Sequence, residues 1–454
     1  MAKDKLTDYD STASNNTDVG GVSVAEGMLP SGVNNAIREQ MSHLADFAAG
    51  TSGVDVLKLQ DDTDTNSIKL QAPASVTTNT TFTLPDGDGS ADQVLKTDGS
   101  GQLGWVAQTA VAANPSLIIN GAMSVAQRGT SVTSQTSTND YTTCDRWHLQ
   151  MDSSGTFTVS QSTTAPDGFS NSFKIDCTTE DASPNYLILS QRFEGQNLQH
   201  LKKGTSNAES VTLSFWVRSS KTGTYQVNLQ DIDNTRNIGA TYAISSADTW
   251  EYKTVTFAGD TTGALDNDNA NSLNVEWFLA SGSSFNTGAV PTAWEAKSNA
   301  DRAAGLNVAI GASTSDDWHI TGVKLEVGDT ATPFEHRSFG DELRRCQRYF
   351  CRTYEYGTAT GTPTEKNCLF NSLDAAQGYA RTGTFTYPVS MRATPTVVSY
   401  NTNNGASGQL SADAANHSAG VGQIGQNRCH IGVSGITIGG SVFVKAHATA
   451  DAEL

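Results

Sequence analysis

The sequence predicts a mainly β protein. Hydrophobic residues make up 37% of the 454 residues and charged residues 17%, while Gly occurs 41 times. The apolar and charged shares lie below ordinary globular usage. Short runs of alternating apolar and polar residues recur along the chain with turn-forming residues between them, which is typical of strands joined by turns. The predicted order is an N-terminal helix, a thin intertwined β shaft, a jelly-roll β-sandwich and a smaller C-terminal β-sandwich.

One stretch, residues 31–49, has clear helical periodicity, and it lies in the first predicted segment, residues 1–50. Ser31 is a suitable N-cap. The apolar residues recur at spacings of four, three and four, as at the a and d positions of a coiled coil: Ile37, Met41, Leu44 and Ala48. An amphipathic helix packing on its own domain would show the same pattern. Because no nearby segment offers a core, we expect packing between chains.

Residues 51–114 contain short alternating strands with Gly, Asp or Pro between them and no long apolar run. Strands this thin are stable only when another surface covers their inner faces. Three chains wound around one axis would provide that cover. The segment therefore predicts an intertwined β shaft and a homotrimer.

Residues 115–338 form the largest predicted unit. About ten strands separated by turn signals favour a β-sandwich with its own core. These strands are expected near residues 117–119, 155–161, 172–177, 186–194, 211–218, 223–230, 251–257, 273–280, 305–311 and 318–327.

The last of these strands carries an irregularity. Trp318 and Ile320 share one face, whereas Val323 and Leu325 are shifted by one residue. Side chains alternate in a strand, so the shift predicts a β-bulge near Gly322. A polar helical turn is expected to begin at Asp341.

Residues 339–454 predict a second β-unit, which would form the tip of the molecule. Its strands are expected near residues 348–354, 381–388, 394–401, 428–433 and 441–447. Residues 401–425 have almost no large apolar side chain and predict a long loop, and long loops in compact domains are often functional.

The net charge of −18 makes nucleic acid an unfavourable partner, because phosphate binding needs clustered Lys and Arg. The sequence has no apolar run of ~18 residues, so no membrane insertion is expected. Its first residues lack the apolar core of a secretory signal. The dispersed cysteines show no C-x-x-C pair and are expected to be free thiols: Cys144, Cys177, Cys346, Cys351, Cys368 and Cys429.

Neither an enzyme nor a required cofactor is predicted. Pairs of Asp two residues apart can offer oxygens to Ca²⁺ but also occur in solvated turns, so Ca²⁺ stays an open alternative: Asp86 and Asp88, Asp231 and Asp233, Asp266 and Asp268. The G-x-G-x-x-G match at 420–425 lacks the strand before and the helix after that nucleotide binding requires. Glycosidase carboxylates can lie far apart in sequence, so a paired-carboxylate site is also left open.

Aromatic and amide side chains are the candidates for receptor binding. A flat ring on a loop can stack on a sugar face while nearby polar groups bind the hydroxyls. In the sandwich the candidates near strand ends or in loops are Trp147, Trp250 and Trp294. At the tip the same chemistry is offered by Tyr400, Asn401, Asn403, Asn404, His417 and Asn427.

Several stretches resemble bacteriophage tail-fibre and receptor-binding proteins. The most specific are WHITGVKLEVGDTATPFEHRS with ELRRCQRYF, within residues 318–354, and YDSTASNNTDVGGVSVAEGMLPSGVNNAIREQMSHL, within 8–48. The strand order of 115–338 resembles the jelly roll of carbohydrate-binding modules. Residues 80–106 and 115–135 carry the resemblance less specifically.

The resemblance implies a structural virion protein, made in the host cytoplasm. Residues 1–50 would attach the fibre to a phage tail or adaptor protein. The C-terminal β-domains would bind a host cell-surface receptor, expected to be a glycan, without cleaving it. Two other functions are left open: a tailspike depolymerase that cleaves surface polysaccharide, and a secreted carbohydrate-binding module.

Overall fold

The computed structural model describes residues 8–10, 12–25, 27–49, 56–60, 67–71, 75, 81–90, 93–107, 115–152, 154–373, 379–413, 415–434 and 442–454. The chain divides into two compact units, Met1–Ala110 and Val111–Leu454. Strands far outnumber helices in the described residues, which confirms the mainly β class. No helix among them is long and apolar enough to cross a membrane.

In its described residues, the first unit contains one α-helix and three small β-hairpins. Its elements are β1 (Asp18–Val19), β2 (Val22–Ser23), α1 (Pro30–Ala48), β3 (Val56–Gln60), β4 (Ser67–Gln71), β5 (Gln93–Thr97) and β6 (Leu103–Ala107). The hairpins pair β1 with β2, β3 with β4 and β5 with β6, all antiparallel. Intertwining with other chains stays a prediction.

Helix α1 begins at Pro30, so the expected N-cap at Ser31 is wrong. Leu29 precedes the helix in an extended conformation, and its side chain makes no capping hydrogen bond. Proline is favoured at the first helical position because its fixed φ suits the helix and its missing N–H would have no helical partner. This preference outweighs the capping tendency of Ser31.

One narrow face of α1 packs on its own unit, and the apolar stripe does not. Ala36 and His43 are buried, and Tyr9 is hydrogen-bonded to His43 Nδ1 at 2.8 Å. The exposed apolar residues of the stripe, with their exposed fractions, are Val33 (44%), Ile37 (50%), Met41 (63%), Leu44 (55%) and Phe47 (44%). The described residues thus leave the predicted seam of the helix largely exposed.

The hairpin of β5 and β6 also leaves apolar side chains exposed. Val94, Leu95 and Val106 are each more than one third exposed, and Trp105 is 37% exposed with its Nε1 donating to the Gly87 carbonyl. Neither face of this hairpin buries a core in the described residues. Cover for these side chains by other chains stays a prediction.

The second unit contains two β-sandwiches. The large sandwich has strands β7 (Ser131–Gln135), β8 (Thr138–Tyr141), β9 (His148–Asp152), β10 (Thr156–Ser162), β11 (Ser172–Thr179), β12 (Tyr186–Glu194), β13 (Val211–Ser219), β14 (Gly223–Asp231), β15 (Arg236–Ile244), β16 (Glu251–Phe257), β17 (Asn271–Ser281), then the short helix α2 (Ser283–Asn286), β18 (Glu295–Ala296) and β19 (Asp317–Val327).

These strands form two facing sheets, in the orders β16-β13-β19-β11-β10-β7 and β18-β15-β14-β17-β12-β9-β8. The inner faces bury one contiguous core that includes Trp147, Trp277 and Trp318. Strand β19 lies between β13 and β11 and contributes Ile320 and Leu325 to this core.

The bulge predicted in β19 is confirmed. Ser214 pairs with Lys324, but Trp216 pairs with Thr321, so β19 holds one more residue than β13 between these pairs. Gly322 has φ +61°, and a Cβ there would lie 2.7 Å from the ring of Phe169. Only glycine fits both the left-handed backbone and this close approach.

Two predicted strands of the large sandwich are wrong. Residues 117–119 and 305–311 are not strands. The first segment is held by side-chain hydrogen bonds instead of strand pairing. The Asn120 side chain donates to the Val125 carbonyl and accepts from the Val125 N–H. Strand β15 and the strands β7 to β9 were not predicted, since the alternation in them is interrupted by polar residues.

The terminal sandwich follows helix α3 (Phe339–Gln347), which Ser338 caps by accepting from the Asp341 N–H. Its strands are β20 (Phe350–Arg352), β21 (Leu369–Leu373), β22 (Tyr379–Arg381), β23 (Phe385–Thr386), β24 (Thr396–Tyr400), β25 (Gln409–Ala412), β26 (Ala415–Ser418), β27 (Gly420–Gly422), β28 (Arg428–Ser434) and β29 (Val442–Asp451).

Two sheets of the terminal sandwich share a second core. Strand β29 organises the first sheet by pairing with β20, β21, β24 and β25, while β28 organises the second by pairing with β22, β23 and β27. The long loop expected at 401–425 is wrong, because β25 and β26 form a hairpin there and β27 adds to β28. Their small side chains carry little sequence signal for strands.

Candidate functional site

The three candidate tryptophans occupy different environments. Trp147 is fully buried, and its Nε1 donates to the Asn120 carbonyl at 3.0 Å, so it belongs to the core and has no face for a sugar. Trp250 is partly exposed, with its ring edge-on to His319. Trp294 is also partly exposed, but its Nε1 donates to the Ala258 carbonyl at 2.7 Å and Lys203 Nζ lies 5.2 Å from its ring centre.

The candidate asparagines at the tip mostly hold the β25–β26 hairpin in place. Asn401 is fully buried, and its Nδ2 donates to the Leu410 carbonyl at 2.8 Å. Asn403 donates to Ser411 Oγ at 3.0 Å, and Asn404 accepts from the Ala406 N–H at 2.9 Å. Asn401 thus has a structural role, while Asn403 and Asn404 are exposed.

The remaining tip candidates lie on β26, after β27 and at the end of β24. His417 is partly exposed on β26 opposite Leu410. Asn427 is exposed beyond β27 and accepts a hydrogen bond from Ser390. Tyr400 ends β24 and lies edge-on to Tyr354. The structure therefore brings the predicted tip residues together only in part: Asn401 and Asn403 both donate to Asn416, the neighbour of His417, whereas Asn427 lies beyond β27.

The outer face of the seven-stranded sheet is polar, yet the chain itself covers it. Gln226, Asn228 and Glu276 are all buried there. Arg302, from the connection between β18 and β19, pairs with Glu276 at 2.6 Å, and Asn228 donates to the Arg302 carbonyl. A saccharide could reach these side chains only if this connection moved away.

The other half of this outer face is covered by the terminal sandwich. Glu194 and Arg192 on β12 bind residues that follow α3: Arg348 donates to Glu194, and Arg192 donates to the Leu454 carbonyl. Arg146 forms a buried ion pair with Glu453 and stacks 3.5 Å from the ring centre of Tyr349. The polar face therefore holds the two sandwiches together.

A groove where the sandwiches meet, which we call the junction groove, has a volume of about 510 Å³. Its lining includes Tyr400, Phe350, Arg128 and Asp451. Arg128 lies 3.8 Å over the Phe350 ring and pairs with Asp451 at 2.8 Å. Arg128 and Asp451 are already paired with each other, so they offer little to a ligand.

A second groove lies on the exposed face of β22, β28 and β27, and we call it the terminal groove. Its volume is about 550 Å³. The side chains that stand around it are Tyr379, Arg381, Ser418, Gln423, His430 and Ser434. Three glycines form its floor: Gly420, Gly422 and Gly432.

Strand alternation places the side chains of the terminal groove. On β22, Tyr379 and Arg381 point outward while Ala380 between them is buried, and on β28 His430 and Gly432 alternate with the buried Ile431. Arg381 pairs with Gly432, which pairs in turn with Gly420 on β27. The row of paired residues across the three strands therefore has the Arg381 guanidinium at one end and the backbone of two glycines, Gly432 and Gly420, beside it.

The ends of the terminal groove carry rings. Tyr379 is 53% exposed and pairs with Ser434, and His430 lies four residues along β28, a span of about 13 Å. The Arg381 guanidinium lies 5.5 Å from the centre of the Tyr379 ring. An exposed ring beside hydrogen-bond donors over a flat floor suits an extended polar ligand such as an oligosaccharide.

Sequence reasoning missed this groove. Gly420 and Gly422 were considered only as part of the nucleotide-like match, and the structure places β28 rather than a helix after them. The sequence signal that could have located the groove is strand alternation, which gives each of the two strands one polar face. On β22 this face carries Tyr379 and Arg381, and on β28 it carries Arg428, His430 and Gly432. Their cross-strand neighbours could not be read from the sequence.

Within the described ranges, no group of three or more His, Cys, Asp and Glu side chains could hold a metal ion. The six cysteines form no disulfide, and five of them are buried. Burial raises the pKa of the Cys177 and Cys429 thiols. Asp231, one of the calcium candidates, is instead buried against Lys203 Nζ at 2.5 Å.

No family model and no curated protein matches this sequence. Among solved structures, the enzymatically active domain of tailspike protein 4 of bacteriophage CBA120 is similar over 47% of this chain and 21% of its own, at 10% identity and a TM-score of 0.25. The chain thus spans about a fifth of that protein.

Two further structures are also similar over 47% of this chain. One, described as a putative sugar binding protein from Bacteroides thetaiotaomicron, is matched over 100% of its length at 14% identity and a TM-score of 0.29. The other is the module TmCBM61 in complex with β-1,4-galactotriose, matched over 99% of its length at 9% identity and a TM-score of 0.25. All three TM-scores are below 0.5.

Proposed function

We propose that this chain is a homotrimeric phage tail fibre that binds a host cell-surface glycan, without cleaving it, through the terminal groove. Residues 1–50 attach it to a phage tail or adaptor protein, and the large sandwich carries the terminal sandwich. The protein is made in the host cytoplasm and functions in the virion.

The terminal groove is the observation that carries the binding part of the proposal. Tyr379 offers an aromatic face, and Arg381, His430 and Ser434 offer polar groups on the same side of the sheet. The glycine floor lets a ligand lie close to the backbone of β27 and β28. Sugars have apolar faces and hydroxyl edges, so this combination suits them better than it suits a compact hydrophobic ligand.

The exposed stripe of α1 supports self-association. Ile37, Met41 and Leu44 are each at least half exposed in the single chain. Three copies packing these residues together would bury them around one axis, as coiled-coil helices do. In the trimer, neighbouring chains would likewise cover the exposed apolar side chains of the β5–β6 hairpin.

A trimer also fits weak binding at each groove. Three identical sites on one fibre bind a repetitive surface together, so the overall affinity exceeds that of a single site. The sequence resemblance to tail fibres at 8–48 and 318–354 supports the same assembly. Glycan binding, attachment and trimer formation thus belong to one proposal.

The test is binding of the purified full-length protein to candidate bacterial cells and to the surface polysaccharides extracted from them. We expect Tyr379→Ala to reduce binding by roughly 5- to 150-fold, since stacking of a flat ligand ring on one aromatic side chain contributes ~1–3 kcal/mol. Tyr252→Ala is the control, because Tyr252 is 44% exposed but lies on the large sandwich.

Each other outcome contradicts a stated part of the proposal. Equal binding by Tyr379→Ala would move the site out of the terminal groove. Release of new reducing ends from the polysaccharide would make the protein a depolymerase. Absence of binding to every cell and polysaccharide would reject receptor binding altogether.

A further inference from the structure

The charge of this protein is unevenly distributed along the chain. Residues 1–338 contain 20 Lys and Arg against 39 Asp and Glu, a net charge of −19. Residues 339–454 contain nine Lys and Arg against eight Asp and Glu, a net charge of +1. The terminal sandwich is therefore the one region whose own charges do not repel an anion.

The terminal groove concentrates positive groups further. The basic side chains among its described lining residues are Arg381 and His430. Arg428 lies on the same face of β28, two residues before His430, and is exposed. Alternate residues of a strand are about 6.6 Å apart, so these groups form a short basic row.

Among the described residues, no acceptor is hydrogen-bonded to the guanidinium of Arg381. Arg128, Arg146 and Arg348 each pair with a carboxylate of the second unit. Arg381 instead lies beside the Tyr379 ring, and within the described part of the chain no carboxylate is paired with it. A guanidinium held beside a ring presents a fork that matches a carboxylate with two parallel hydrogen bonds.

Resting on the proposed function, we propose that the terminal groove selects a saccharide that carries a carboxylate, such as a uronic acid. The carboxylate binds Arg381 above the bare backbone of Gly432 and Gly420, and a neighbouring sugar ring stacks on Tyr379. His430 and Arg428 extend the basic row toward the next acidic unit. A repeating acidic polysaccharide thus matches the row better than a neutral one.

Gly422 provides a substitution that should leave the fold intact. A Cβ at Gly422 would meet no atom within 4 Å, and its φ is not in the left-handed region. Gly422 pairs with His430, so a side chain there would stand in the groove. Gly422→Asp adds a negative charge, and Gly422→Asn adds a neutral side chain of nearly the same size.

The experiment compares polygalacturonate, alginate, hyaluronate and colominic acid with their carboxyl-reduced forms, using the full-length protein and calorimetry or surface binding. We expect saturable binding to at least one acidic polymer and a loss of roughly 10- to 100-fold on carboxyl reduction, since hydrogen bonds to charged groups contribute ~1.5–3 kcal/mol. Gly422→Asp and Arg381→Gln should each weaken binding by at least about tenfold. Gly422→Asn should weaken it clearly less.

The failure of this inference is distinguishable from failure of the proposed function. Equal binding to the acidic and carboxyl-reduced forms, with equal effects of Gly422→Asp and Gly422→Asn, would overturn the carboxylate preference while leaving glycan binding intact. Binding to phosphorylated glycans alone would also overturn it. No binding to any polymer in either set, by a protein that also fails to bind cells, would reject both.

Discussion

The buried carboxylate of Glu194, on the last residue of β12, accepts hydrogen bonds of 2.6 Å from the guanidinium of Arg348 and of 2.6 Å from the hydroxyl of Tyr349. Burial by itself would raise the pKa of Glu194, but these donors hold that pKa below its ordinary value. The two partners lie between α3 and β20, so this pair joins the large sandwich to the terminal sandwich.

Removing the charge of Glu194 should loosen this connection. In Glu194→Gln the side chain keeps its shape but Arg348 loses its partner, and we expect a loss of about 1.5–3 kcal/mol in the free energy of unfolding. Urea unfolding and limited proteolysis between residues 338 and 354 measure the effect. Glu209→Gln is the control, because its pair with Lys202 is exposed and should contribute less than about 1 kcal/mol.

Charges on the exposed stripe of α1 should prevent assembly. Ile37→Glu combined with Met41→Glu would place two carboxylates in the apolar seam, where desolvation makes each unfavourable by several kcal/mol. Light scattering should then give the mass of one chain, against three chains for the wild type. Arg38→Glu, on an exposed position beside the stripe, should stay trimeric; a wild-type protein with the mass of one chain would reject the trimer.

Asn120 should be the most sensitive position of the segment that leads into the large sandwich. Its side chain makes four hydrogen bonds while fully buried, and its φ is +59°. We expect Asn120→Ala to lower the free energy of unfolding by about 2–4 kcal/mol. Asn120→Gly should lose about 1 kcal/mol less, because glycine adopts this φ without strain. The exposed Asn139→Ala should be within about 0.5 kcal/mol of wild type.

Acid should destabilise the second unit through His148. Burial, followed by the nearby Arg192 and Arg146 charges, lowers the pKa of His148 to about 3. The unfolded chain has a His pKa of about 6.5 and so binds a proton that the folded chain does not bind between pH 6.5 and 3. The free energy of unfolding should therefore fall on acidification in this window, by up to about 1.4 kcal/mol per pH unit for this group.

The measurement is thermal or urea unfolding at pH 7, 6, 5 and 4 for the wild type and His148→Gln. Glutamine does not titrate, so the variant should lose less stability on acidification. Part of the dependence should persist, because burial also lowers the pKa of His319 and His447. Identical pH dependence in both proteins would show that His148 binds its proton equally in the folded and unfolded states.

The sequence predicted local features well where a residue pattern is compatible with only one local structure. The phase shift between Ile320 and Val323 located the bulge at Gly322, and turn residues between alternating runs located most strands of the large sandwich. It failed at residues 305–311, where apolar residues pack without strand pairing. It also failed at 401–425, where strands are made of Ala, Ser, Asn and Gly.

The site was less predictable than the fold. Trp147 and Asn401 have the right chemistry for a sugar, but the structure buries both completely. Tyr379 and His430 are 51 residues apart in sequence, and only the pairing of β22 with β28 brings them to one face. Exposure and cross-strand register depend on contacts between distant segments, which residue spacing does not contain.

The sequence by itself thus determined the β class, the single long helix with its apolar stripe, and the charge contrast between residues 1–338 and 339–454. Hydrophobic periodicity depends only on neighbouring residues, and composition and net charge are totals over a segment, so all three can be determined without coordinates. Only the tertiary structure decided that Glu194 meets Arg348 and that Arg381 lies beside Gly432 and Gly420. Those pairings depend on which strands adjoin and in what register, and that is set by burial of the two cores as a whole.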